Sequence, residues 1–91
     1  MFMNRSELPI PPGAKKDREA AELLRVWFAH GRPQVSLANG VWEEPEPWGM
    51  LLADLAEHVA NTYAELGGRD KTEMLRQIRK GLDAQWPAPA D

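Results

Sequence analysis

A chain of 91 residues supports one domain, and the absence of cysteine excludes both a disulfide and a thiolate metal site as its reinforcement. A formal net charge of -3 weighs against a nucleic-acid binder, whose affinity comes chiefly from neutralising phosphates. No apolar run is long enough to cross a bilayer and no secretory leader pattern follows Met1, so the expected compartment is the cytoplasm.

Residues 1–18 carry Pro9, Pro11, Pro12 and Gly13, then Lys15, Lys16, Asp17 and Arg18. Prolines remove backbone donors and disfavour helix, so this segment is expected to be an extended arm, with Leu8 and Ile10 as the side chains able to pin it to the domain. Residues 19–87 are expected to form a single α+β domain, and 88–91 a short tail. Within 19–30 the helix formers of the first half give way to an alternation. Leu24, Val26 and Phe28 point one way, while Arg25, Trp27 and Ala29 point the other. His30, Gly31, Arg32 and Pro33 are turn chemistry, and Val35 and Leu37 alternate again before Asn39 and Gly40. A β-hairpin results.

Glu43, Glu44 and Glu46 precede the longest periodic stretch, Trp48 to Gly68, and Pro47 suits the first turn of its helix. Trp48, Leu52, Leu55, Val59, Tyr63 and Leu66 form a bulky stripe on that helix. Gly49, Ala53, Ala56, Ala60 and Ala64 form a smooth stripe beside it, open to close approach by a neighbouring backbone. Gly67 and Gly68 end the helix. Asp70 and Glu73 then form a capping box for a last helix that buries Met74 or Leu75, Ile78, Leu82 and Trp86 and stops before Pro87 and Pro89. Gly81, costly in a helix interior, is expected to mark a close approach to the alanine stripe. Both helices should cover the apolar face of the hairpin. Two strands alone are marginal, so the sheet is expected to be completed by a second copy, giving a homodimer.

The runs LRVWFA at 24–29, QVSL at 34–37 and PWGMLLADLAEHVANTY at 47–63, with a charged last helix ending in DAQW, resemble a family of short, mainly alphaproteobacterial proteins known only as a domain of unknown function. The resemblance implies a bacterial cytoplasmic protein and carries no activity over to particular residues.

Two constellations could carry chemistry. Asp54, His58 and Asn61 share a helix face, and a carboxylate can orient an imidazole for general-base work. No activated nucleophile or third metal ligand joins them, so no catalytic residue, metal or cofactor is assigned. Arg76, Arg79 and Lys80 concentrate basic charge on the last helix, while Arg25 and Trp27 on the hairpin have the composition of an interface anchor. The sequence therefore points to a protein-protein interaction or adaptor module with an unidentified protein partner, and away from an enzyme. Two alternatives stand beside it. One is a ligand-binding or enzymatic subunit with a pocket near His58; the other is a weak nucleic-acid binder using the basic helix.

Overall fold

The computed structural model describes residues 7–89. The chain divides into two compact units, Met1–Val41 and Trp42–Asp91. The division falls within the span 19–87 that the sequence suggests is one domain.

In the first unit the expected hairpin is present: β1 (Leu24–Ala29) pairs antiparallel with β2 (Arg32–Leu37). The pairs Leu24↔Leu37, Val26↔Val35 and Phe28↔Pro33 put the apolar residues on one face, and Arg25↔Ser36 and Trp27↔Gln34 put polar partners and Trp27 on the other. The turn is tighter than the four residues expected. His30 and Gly31 alone form it, with φ of 53° and 75°. Two consecutive positive φ values match the twist of the flanking strands, and Gly31 adopts its value without a Cβ penalty. Arg32 and Pro33 join β2, where the missing proline N–H is tolerated because each strand of a two-stranded sheet is an edge.

The arm departs from the expected extended form. Pro12 opens a single helical turn, α1 (Pro12–Lys16), in which the Pro11 carbonyl accepts hydrogen bonds from the amides of Ala14 and Lys15 at 3.0 and 3.1 Å. A proline at the first helical position needs no donor, and its φ is already helical. Leu8 and Ile10 are exposed and do not anchor the arm. Glu7 does so instead, through an ion pair with Arg25 at 2.7 Å.

In the second unit α2 (Glu46–Gly67) packs on α3 (Lys71–Gln85). Pro47 lies in the first turn of α2, as its fixed φ favours. Trp42 and Trp48 meet edge to face, with ring centroids 5.0 Å apart and planes at 83°, a favoured aromatic geometry. Gly68 ends α2 at φ 64°, its amide donating to the Ala64 carbonyl at 3.1 Å. Asp70 then caps α3 by accepting from the Glu73 amide at 2.9 Å. The reciprocal half of the capping box is not made, because the Glu73 carboxylate is engaged by Arg76 and Gln77 at 2.6–2.9 Å.

The helix pair is joined along the smooth stripe. Ala60 is fully buried and Ala56 and Ala64 are half-buried, opposite buried Met74 and half-buried Leu75 and Ile78. At about 100° per residue, Val59 lies a quarter turn round from Ala60, so the bulky stripe faces sideways. Leu82 and Trp86, expected to be buried, are exposed because they lie beyond Ile78, after which no described residue of the chain is covered, and Trp86 is already past the end of α3.

Gly81 does not mark a close approach: a Cβ placed there meets nothing within 4 Å. Its helix-propensity cost is therefore uncompensated. Gly81→Ala is expected to stabilise the protein by about 1 kcal/mol, raising the midpoint of thermal unfolding followed by circular dichroism.

Candidate interaction surface

The charged side chains singled out from the sequence prove largely engaged within the chain. Arg25 bonds Glu22 through Nε at 3.2 Å and through Nη2 at 3.1 Å, and meets Glu7 through Nη1. The bond and charge of Glu22, assisted by Glu7, hold the Arg25 pKa above its ordinary value. Arg76 pairs with Glu73 at 2.6 Å and Arg79 with Asp83 at 3.0 Å, while Lys71 reaches across to Glu57 of α2 at 3.3 Å. Of the three basic candidates on α3, Lys80 is the one that makes no ion pair among the described residues. The basic cluster is thus mostly neutralised one turn away, which weakens the case for phosphate binding.

The Glu73 carboxylate is the most perturbed acid. Hydrogen bonds from Arg76 and then Gln77 hold its pKa at about 2, below the ordinary 4.5. Because the folded value is the lower one, this contribution is fully present above about pH 4.5 and fades as pH falls towards 2. A carboxyl titration followed by NMR should show Glu73 with the lowest midpoint among the glutamates. Glu73→Gln should flatten the loss of α3 helicity across that window.

His58 and Asp54 come together as their spacing requires, Nε2 to Oδ2 at 3.3 Å, with Asn61 half-buried on the next turn. The His58 side chain is 72 % exposed, so it stands on an open helix face and not in a buried polar pocket. An exposed i,i+4 pair of this kind contributes little to stability. The cleft detected on the hairpin, about 390 Å³, is lined by Glu22, Leu23, Leu24, Arg25, Ser36 and Leu37, with Ala38.

Trp27 is half-buried, along with Arg25 and Ala29 on its side of the sheet. The opposite face of the hairpin is the more open one. Phe28 is 76 % exposed, and Val26, Val35 and Leu37 are each more than half exposed. On α2 the residues Leu52, Leu55, Val59, Tyr63 and Leu66 form a second open apolar strip, Leu66 reaching 85 %. Among the described residues only Ala60 and Met74 are buried apolar side chains. Surfaces of this kind are the usual signature of protein contact. The spacing of the α2 strip was visible in the sequence, but spacing alone does not distinguish a stripe turned into a core from one left open.

The hairpin, the helix pair and these open faces define a small α+β protein whose accessible chemistry is apolar surface. The chain belongs to the family DUF5076, a domain of unknown function, which it matches over residues 7–90. It is also similar to a solved structure from the photosynthetic bacterium Rhodopseudomonas palustrus, provisionally described as a pyruvate dehydrogenase. The two share 30% sequence identity with a TM-score of 0.76, over 99% of this chain and 91% of that one. No curated protein matches the chain. No helix among the described residues is long and apolar enough to cross a membrane.

Proposed function

We propose that this chain is a cytoplasmic, non-catalytic interaction module that self-associates as a homodimer and offers its hairpin face to a protein partner. The observation that carries this reading is the contrast between two buried apolar side chains and two open apolar faces. A chain of this size buries little apolar area by itself, and association enlarges the covered area where there is no cysteine to reinforce the fold. The polar groups on offer, Asp54 and His58, stand on an open helix face, which favours binding over turnover.

Sedimentation velocity over a micromolar concentration series tests the reading. A mass moving towards twice that of the 10.2 kDa chain is expected. A monomer mass at every concentration would overturn self-association.

A further inference from the structure

The open strip on α2 has an arrangement that singles out one occupant. Leu52, Leu55, Val59, Tyr63 and Leu66 lie at -7, -4, 0, +4 and +7 relative to Val59, a spacing symmetric about its centre. A twofold interface requires that when residue i meets j, j also meets i. A helix strip satisfies this in the antiparallel sense when its spacing reads the same from both ends. We propose that α2 pairs antiparallel with α2 of a second copy, Val59 lying on the twofold axis, Leu55 against the second copy's Tyr63 and Leu52 against its Leu66. This inference rests on the self-association proposed above and names the surface that makes it.

The helix dipoles favour the same direction, since an antiparallel pair opposes them. Asp54, Glu57 and Glu65 lie about 140°, 160° and 120° round α2 from Val59, away from the strip, so none of these carboxylates is set into the seam. The area is of the right order. A specific dimer takes about 800 Å² from each copy, and one aromatic side chain brings about 150–250 Å² when covered. Five large side chains, all between about two-fifths and nine-tenths exposed, supply several hundred Å² before the flanking polar residues are counted.

Because the chain has no cysteine, single introduced thiols report the geometry without interference. Helix axes pack about 8–10 Å apart and Cα atoms lie about 2.3 Å from the axis, so facing Cα atoms on the twofold are about 3.4–5.4 Å apart, a range whose upper part is within disulfide reach. Under mild oxidation Val59→Cys is expected to form a covalent dimer. Leu52→Cys alone is not, because its two copies would stand about 21 Å apart along the axis. The double variant Leu52→Cys/Leu66→Cys is expected to cross-link, and Leu82→Cys, an exposed thiol on α3, serves as the collisional control. Val59→Asp, which puts a charge at a half-exposed position, should raise the dissociation constant at least about a hundredfold with helicity unchanged.

Cross-linking of Leu52→Cys alone would overturn the antiparallel pairing, and equal cross-linking of Leu82→Cys would overturn the seam. A wild-type dimer in which Val59→Cys stays uncross-linked would place the contact elsewhere, on the hairpin or through another surface, and leave the proposed function standing. A wild-type monomer would overturn both.

Discussion

Ala60→Leu is expected to lower the stability of the helix pair by about 1–3 kcal/mol, and Ala53→Leu on the same helix to change it by less than about 0.5 kcal/mol. The contrast follows from position. Ala60 is fully buried against α3, whereas Ala53 is exposed although it belongs to the same stripe of small residues. A leucine at 60 needs room for three more carbon atoms where the two backbones approach. The half-buried alanines at 56 and 64 hold the spacing of the helices on either side. Ala60→Leu must therefore either separate the helices, uncovering Met74, or force a strained rotamer. Thermal unfolding followed at 222 nm measures the difference, and a loss of 1 kcal/mol lowers the midpoint by roughly 4–8 °C in a domain of this size. Equal midpoints for the two variants would show that the alanine stripe is not the packing seam.

That seam shows how much of the molecule could be read beforehand. The hairpin and both helices follow from local chemistry: period-two alternation on either side of His30–Gly31, a 3.6-residue period after Pro47, the left-handed Gly68 and the Asp70 cap. The position of each stripe was also legible, because periodicity fixes which residues share a face. Which stripe would be covered was not. Transfer free energy alone favours burying Leu52, Leu55 and Val59, but the α2–α3 contact uses the small residues, which allow close approach and many dispersion contacts. The candidate site was less legible still. Arg76 and Arg79 meet carboxylates whose i,i+3 and i,i+4 spacing the sequence already shows, diluting the basic cluster, whereas the meeting of Arg25 with Glu7 needs the folded chain. Trp27 has the composition of an anchor, but its side of the sheet is the better covered one. The Glu7–Arg25 pair, 18 residues apart in sequence, leaves no local signal at all.

Met74→Ala is expected to have the largest effect of any single truncation, because Met74 is the one large side chain with buried status among the described residues. Removing a buried methionine side chain costs about 2–5 kcal/mol, the sum of lost transfer free energy and of whatever cavity remains. The lower part of that range applies here. Leu75 and Ile78 are only half-buried and can shift towards the gap, so the cavity closes in part and its contribution is small. A cost near 2 kcal/mol predicts a thermal midpoint lower by about 10 °C. Met74→Leu, close to it in volume, should cost less than about 1.5 kcal/mol. The pair of variants separates packing from helix propensity, since alanine is the better helix former and would otherwise raise stability. A midpoint for Met74→Ala at or above that of the wild type would mean that helix propensity, and not the contact with Ala60, holds α3 in place.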